Sequence, residues 1–279
     1  MWNSTDPEET FRNKVIWWSA GIVVAALIGV GAYYRYHSPV PMPSESAQPP
    51  AQTTVPAVPA SAPAPAAQHP IPAQSTQGRS GALPALDDSD PTVLDALTRL
   101  LGQPAVQRFL VPKNLIRRIV VTVDNLPRAK VAAQLRPIQP TPGQTVVESQ
   151  GGVTILSDRN FARYTPFVNA VRGVDAKSLA ALYFRLYPLF QQAYESLGYP
   201  GKYFNDRLVE AIDSMLATPA APGPVTLVQP KVFYQFADPK LEALPAGQKL
   251  LIRMGPQNAA VIEDKLRQFR ALIVNPPKS

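Results

Sequence analysis

Three carboxylates stand at helical spacing in the second half of the chain, at Asp206, Glu210 and Asp213. Offsets of four and seven residues place them on one face of a helix. Facing carboxylates can hydrolyse a glycosidic bond, and clustered ones can bind a cation. One helix face provides no second wall for a sugar cleft, and neighbouring like charges require partners. We therefore expect a salt-bridge network that includes Arg207, with carboxylate catalysis as the alternative.

The segment LGYPGKYFNDR, which leads into these carboxylates, has the composition of a ligand-binding loop. Aromatic and polar side chains surround a Pro-Gly turn, and such loops often grip glycans or peptides. The alternative is a connection between helices whose aromatic rings pack into the core. The candidate binding residues are Tyr199, Lys202, Tyr203, Asn205, Asp206 and Arg207.

Histidine and cysteine chemistry is almost entirely excluded by the composition. The chain has no cysteine, and its two histidines, His37 and His69, precede the globular part. That part can therefore hold no Ser-His-Asp triad, no thiol nucleophile and no histidine-ligated metal. We predict no cofactor, no metal site and no enzyme activity, and any acid–base work would fall to Asp, Glu, Tyr or Lys.

The net charge of +7 lies in the globular part, which has 23 Lys and Arg against 16 Asp and Glu from Gly81 onward. A mild positive excess suits an anionic partner such as a lipid headgroup or a cell-wall polymer. It is also typical of an ordinary solvated surface, which is the favoured interpretation. The charges are scattered and no nucleic-acid-binding motif is found, so we predict no nucleic-acid partner.

An apolar segment near the N-terminus predicts a membrane anchor. Val15 to Tyr34 is 20 residues without a charge, which matches the length that spans a bilayer as a helix. Tryptophans at one end and tyrosines at the other are typical of an interface belt. A cleaved signal peptide is the alternative. Arg12 and Lys14 before the segment, against Arg35 after it, favour a cytoplasmic N-terminus.

The next segment predicts a disordered tether rich in proline and alanine. Residues 38–80 contain 11 prolines and almost no charge, so they cannot bury enough apolar surface to fold. Prolines favour extended conformations, and we interpret the tether as an inert spacer that gives the domain reach. The predicted organisation is a cytoplasmic tail (1–14), a transmembrane helix (15–36), a linker (37–82) and a globular helical domain (83–275).

Within the globular part, hydrophobic periodicity predicts a mainly α (α+β) fold with many helices and a small β component. Asp90 is the predicted N-cap of the first helix. The run IVVTV near Ile119 fits a helix or a strand. The pair TVVES and VTILS around Gly-Gly predicts a β-hairpin. We further predict one helix over Asp158 to Val171, a long helix that Asp175 caps, and a strand over Val225 to Phe236 broken at Pro230.

Several long stretches carry a family resemblance: LVPKNLIRRIVVTVDNLPR, LYFRLYPLFQQAYESLGYPGKYFNDRLVEAIDSMLATP and LVQPKVFYQFADPKLEALPAGQKLLIRMGPQNAAVIEDKLRQ. Together with LPALDDSDPTVLDAL they resemble a bacterial family catalogued as domain of unknown function number 3014. The resemblance covers nearly all of Leu83 to Leu272. The anchor and proline-rich linker are similar to the layout of that family in Gram-negative bacteria. The resemblance implies an envelope protein and supplies no catalytic residues.

Three functions follow as hypotheses. The first is a binding or scaffold module, held by Val15 to Tyr34 in the bacterial inner membrane with its domain in the periplasm. Its partner would be an envelope protein or a cell-wall polymer. The second is a carboxylate-dependent glycan or cell-wall hydrolase. The third is a structural protein that assembles through its membrane helix.

Overall fold

The computed structural model describes residues 66–71, 82–221 and 223–276. Within them the chain forms ten α-helices and two antiparallel strand pairs, which confirms the mainly helical α+β class. The helices are α1 (Asp90–Leu101), α2 (Gln103–Phe109), α3 (Leu115–Asn125), α4 (Asp158–Phe161), α5 (Thr165–Arg172), α6 (Ala176–Ser196), α7 (Phe204–Leu216), α8 (Pro239–Glu242), α9 (Ala246–Met254) and α10 (Pro256–Val274). The strands are β1 (Val147–Gln150), β2 (Val153–Leu156), β3 (Leu227–Val228) and β4 (Gln235–Phe236).

The predicted membrane segment, Val15 to Tyr34, and most of the predicted linker lie outside the described residues. In the part of the chain that the structure describes, no helix has the length and apolar character needed to cross a bilayer.

The main core is built around the 21-residue helix α6, which Asp175 caps as predicted by accepting from the Ser178 amide at 2.7 Å. Helix α6 packs against α1, α3, α7 and α10. Its buried face repeats at the helical period, from Tyr183 through Phe190 to Tyr194. Pro188 lies inside this helix and does not end it. Helix α6 therefore packs against both the N-terminal helices α1 and α3 and the C-terminal helices α7 and α10.

The run IVVTV belongs to helix α3, so the helical interpretation is the correct one. Leu115, Ile116, Val120 and Val123 are all buried, and their spacing places them on one face toward α6. A strand would alternate these side chains between two faces and expose half of them. Packing therefore overrides the preference of β-branched residues for strands.

Asp90 does not cap its own helix, which is a correction to the sequence prediction. The N-cap of α1 is Ser89, and the Asp90 carboxylate instead accepts hydrogen bonds from the Asn114 and Leu115 amides at 2.6 and 2.9 Å. These amides are at the N-terminus of α3, where the backbone donors have no partner within the helix. Asp90 thus caps α3 from α1 and fixes the two helices together.

The predicted helix over Asp158 to Val171 is two helices, α4 and α5, separated by a turn. Pro166 lies in the first turn of α5, where its missing N–H and fixed φ are tolerated. In the middle of a continuous helix, its ring would clash with the carbonyl of Ala162 four residues earlier. Ser157 caps α4 by accepting from the Arg159 amide at 3.1 Å.

The predicted hairpin is confirmed, with β1 and β2 antiparallel and Val147 opposite Leu156. The predicted strand over Val225 to Phe236 is instead a second hairpin, in which β3 and β4 are short and Leu227 lies opposite Phe236. Pro230 cannot donate to a strand ladder, and the chain reverses beyond it. A bridge between Ile155 and Thr226 joins the two hairpins.

Gly255, between α9 and α10, has a φ of 82°, which side-chain-bearing residues rarely adopt. A Cβ at this position would also collide with the Phe161 ring. Glycine is therefore required where α9 ends and α10 begins.

Replacing Asp90 with alanine should lower the free energy of unfolding by about 1–2 kcal/mol, because two amides of α3 lose their acceptor. Asp95→Ala, in the same helix, breaks only an exposed ion pair with Arg99 and should cost less than about 0.5 kcal/mol. Urea denaturation followed by circular dichroism measures both. Equal losses would contradict the cross-helix cap.

Candidate functional site

A groove of about 530 Å³ lies where the end of α3, the end of α6 and the start of α7 meet residues 66–71 of the predicted linker. We call it the tether groove, and residues 66–71 the tether segment. Its lining residues are Ala66, Gln68, Asp124, Arg128, Tyr194, Tyr199, Gly201, Lys202, Tyr203, Asp206, Arg207 and Glu210.

The groove brings the sequence-predicted binding residues together. Tyr199, Lys202, Tyr203, Asp206 and Arg207 line it. The sixth candidate, Asn205, is fully buried and contacts the tether segment from the first turn of α7. The alternative interpretation, an aromatic ring packed in the core, applies to Phe204, which is 1% exposed.

The buried carboxylate of Asp124 is the electrostatic centre of the groove. Its side chain is 6% exposed and lies 3.0 Å from Arg207 Nε and 2.8 Å from Arg128 Nη2. The backbone carbonyl of Asp124 also accepts from both guanidiniums. One residue at the end of α3 is therefore held by an arginine of α7 and by an arginine of the following loop.

The two arginines offset an unfavourable interaction between the Asp124 carboxylate and the dipole of α3. Asp124 lies in the last turn of α3, where the helix dipole opposes a negative charge. The hydrogen bond with Tyr199 and the charge of Asp124 raise the pKa of Arg128. Burial opposes the charge of Arg207, but the carboxylates of Glu210 and Asp124 outweigh burial and raise its pKa. Both guanidiniums are therefore fixed cations at any physiological pH.

Stacked aromatic rings form one wall of the groove. The Tyr194 and Tyr199 rings lie 4.7 Å apart at 23°, and Lys202 Nζ lies 5.6 Å from the centre of the Tyr199 ring. The Tyr199 hydroxyl accepts from Arg128 Nη2 at 2.7 Å, which links this wall to the ionic cluster. Tyr203, 39% exposed, adds an open aromatic surface at the start of α7.

Asn205 is oriented by a buried tyrosine. The Tyr183 hydroxyl donates to Asn205 Oδ1 at 2.9 Å, and burial raises the pKa of Tyr183 well above its ordinary value. Tyr183 therefore keeps its proton and acts as the donor, which turns the amide nitrogen of Asn205 the other way. That nitrogen donates to the carbonyls of His69 and Ile273, at 2.8 and 3.3 Å.

The tether segment is bound to the groove through its backbone. The Asp206 carboxylate accepts from the Gln68 amide at 3.0 Å and from the His69 amide at 2.7 Å. Asn205 donates to the His69 carbonyl, and Ile71 packs against the main core. These six residues are therefore a bound peptide that bends at Gln68 and His69, which differs from the inert spacer that the composition indicates.

The three carboxylates of α7 have separate partners. Glu210 lies 2.6 Å from Arg207 Nη1, Asp213 accepts from both Nε and Nη2 of Arg270, and Asp206 holds the tether segment. The predicted salt-bridge network is thus confirmed for Glu210 and Asp213. Across the described ranges, His, Asp and Glu form no group that could hold a metal ion.

Residues 115–270, from the start of α3 to near the end of α10, match the family model described as "Protein of unknown function (DUF3014)". The chain belongs to this family. The match confirms the resemblance noted in the sequence, and it includes every groove residue outside the tether segment. No curated protein and no solved structure matches the chain.

The sequence predicts no site role for Asp124, Arg128 or Tyr194, and it predicts Glu210 only as one of the three carboxylates of α7. An Asp and an Arg four residues apart at a helix end are typical of local turn pairing, which is the interpretation that the sequence favours. The available signal was the position of Asp124, directly after Val123 in the apolar stripe of α3. A charge in such a stripe requires a buried partner.

We expect Asp124→Asn to destabilise the domain by about 2–3 kcal/mol, because Arg128 and Arg207 lose the buried carboxylate between them and Arg207 keeps only the exposed Glu210 as a counter-ion. The matched control is Asp213→Asn, which breaks the half-exposed pair with Arg270 and should cost less than about 1 kcal/mol. Urea midpoints of the two variants provide the measurement. A comparable loss of stability in both variants would show that the buried cluster stabilises the fold no more than an exposed ion pair does.

Proposed function

We propose that this protein is a binding module of the bacterial envelope, anchored in the inner membrane by Val15 to Tyr34, with its domain in the periplasm. Its ligand is a polypeptide segment, which the tether groove binds through main-chain hydrogen bonds. The observation that carries the proposal is a pair of hydrogen bonds. The Asp206 carboxylate accepts them from the backbone amides of Gln68 and His69.

The chemistry of the groove favours a peptide over a glycan. Asp206 and Asn205 contact an amide and a carbonyl of the same residue, His69, and such contacts recognise main chain in any sequence. Pro70 restricts the backbone of the segment beside its bend, which lowers the entropy lost on binding. Ile71 then supplies an apolar anchor.

The groove is also balanced in charge. Its lining includes three carboxylates and three basic side chains, of which several are already paired with one another. A balanced site gives no strong preference for an anionic polymer. It suits a peptide, whose backbone presents donors and acceptors in equal number.

A partner segment would replace the tether segment. Between residue 36 and the tether segment lie 29 residues, which span about 90 Å as a polyproline-II chain. Release of residues 66–71 lengthens the span before Leu83 to about 140 Å by the same measure. Partner binding would therefore also let the domain move farther from the membrane.

The first test measures whether the tether segment is bound in the full-length protein in detergent. Asp206→Ala should speed amide hydrogen exchange of Gln68 and His69 at least about tenfold, because both amides lose a charged acceptor. Asp213→Ala, on the same helix but outside the groove, is the matched control and should leave these amides unchanged. Exchange that is already unprotected in the unaltered protein would contradict the docked segment.

The second test identifies the ligand class in cells. A photo-crosslinking amino acid at position 203 should capture envelope proteins, and an excess of peptide with the sequence of residues 66–71 should compete with capture. The same crosslinker at Val232, which is 76% exposed and outside the groove, is the control for proximity alone.

Mapping of the crosslinked peptides decides between the outcomes. Crosslinks to proline-containing segments of other envelope proteins support the proposal. Crosslinks only to residues 66–71 would mean that the groove binds only its own chain. Crosslinks only to cell-wall material would mean that its ligand is a glycan.

A further inference from the structure

A second cavity of about 380 Å³ lies between α2, α3, α5, α9 and the proline-rich segment 131–142. It shares no lining residue with the tether groove. Its apolar surface comes from aromatic, aliphatic and proline side chains. They include Phe109, Leu126, Val131, Pro137, Ile138, Pro140, Pro142, Pro166, Phe167, Leu250 and Met254.

The irregular wall of this cavity is held in place by hydrogen bonds. The Gln139 amide donates to the Phe109 carbonyl at 2.7 Å, and the Val111 amide donates to the Pro137 carbonyl at 2.8 Å. Arg163 donates to the Gly143 carbonyl at 2.7 Å. The proline-rich segment is therefore a fixed part of the fold, and the cavity is a preformed site of a size that small ligands use.

The charges around this cavity are all positive. Its lining contains four arginines, Arg108, Arg136, Arg163 and Arg253, and neither a carboxylate nor a lysine. Arg163 and Arg253 are occupied by backbone carbonyls and aromatic rings. Arg108 lies over the Phe109 ring and Arg136 Nε donates to the Ala133 carbonyl, but both residues are exposed and have further guanidinium donors for a ligand. Within the described residues neither forms a salt bridge.

Thr122 lines the same cavity from α3. Its hydroxyl is buried and has no hydrogen-bond partner among the described residues. A buried hydroxyl without a partner costs free energy, so an acceptor brought by a ligand would be favourable here. This hydroxyl can donate to a ligand oxygen or accept from a ligand donor, and its lack of a partner is independent of the arginines.

We propose that this cavity binds a single-chain anionic amphiphile, in which an unbranched acyl chain carries one carboxylate or phosphate. The acyl chain would lie against the proline, phenylalanine and leucine side chains, which offer no hydrogen bonds to a sugar. The anionic head would lie at the exposed guanidiniums of Arg108 and Arg136, whose planar donors match carboxylate and phosphate oxygens. The inference does not depend on the peptide ligand of the tether groove.

The test uses the full-length protein in lipid nanodiscs and a dodecanoate analogue with a diazirine on its chain. After irradiation, mass spectrometry should locate the label on cavity residues such as Ile138, Phe167 and Leu250. Dodecanoate or dodecyl phosphate should displace the label. Equal concentrations of dodecanol or dodecyltrimethylammonium should not, because the first lacks the charge and the second reverses it. The more effective of the two anions identifies the head group.

Variants separate specific binding from general attraction of an anion. Arg108→Gln combined with Arg136→Gln should lower cavity labelling at least about tenfold. The matched control is Arg117→Gln with Arg267→Gln, two arginines outside the cavity with largely exposed side chains. It lowers the net charge by two, as the cavity variant does. Leu250→Glu adds a carboxylate to a partly exposed lining residue and should abolish labelling, whereas Leu250→Gln should retain most of it.

Three results would overturn the proposal. The first is a label that maps outside the cavity. The second is equal displacement by dodecanol and dodecanoate, which would mean that the arginines play no part. The third is an equal loss in both double arginine variants, which would indicate attraction by net charge alone. Circular dichroism of every variant shows whether the fold is retained.

Discussion

The arrangement of the domain around the groove depends on one buried ion cluster, Asp124 with Arg128 and Arg207. Moving a carboxylate away from water costs several kcal/mol, and only close and complete pairing recovers that cost. Here the carboxylate and the backbone carbonyl of Asp124 both have partners. Because Arg207 belongs to α7, the cluster sets the position of α7 relative to α3. Through Arg128 and Tyr199, it also places the aromatic wall of the groove.

A second polar contact decides how the tether segment can bind and leave. Asn205 donates to both His69 and Ile273, so one partner remains when the segment departs. Asp206 is half-buried at the groove surface, so water can replace the two amides as hydrogen-bond donors to its carboxylate. Neither group would become a buried polar atom without a partner, which is the costly outcome in a protein interior. The contact is therefore specific in geometry and can break without leaving a buried polar group unpaired, which fits the proposed exchange of the tether segment for a partner.

The sequence predicts the helices that hydrophobic periodicity specifies. It does not predict hydrogen bonds between residues that are distant in the chain. Helix α6 and its cap at Asp175 follow from local pattern, and the aromatic loop before α7 stands out by composition. Asp90 is a good cap by local rules, but the amides that it caps lie 24 and 25 residues later. Pro166 divides a helix that the apolar pattern alone makes continuous. The docking of residues 66–71 has no compositional signal, because its hydrogen bonds use the backbone.

Helix α3 separates two sites of different electrostatic character. Thr122 and Asp124 are two positions apart, which is about 200° around a helix, and they line different cavities. The groove balances three carboxylates against three basic groups, whereas the other cavity has four arginines and no acid. Part of the +7 net charge is therefore concentrated beside an apolar cavity and does not belong only to a solvated surface. Added salt screens exposed charges, so it should weaken binding of the proposed anionic ligand at Arg108 and Arg136. Binding of the proposed peptide in the groove should change less, because Asp206 there accepts from uncharged backbone amides.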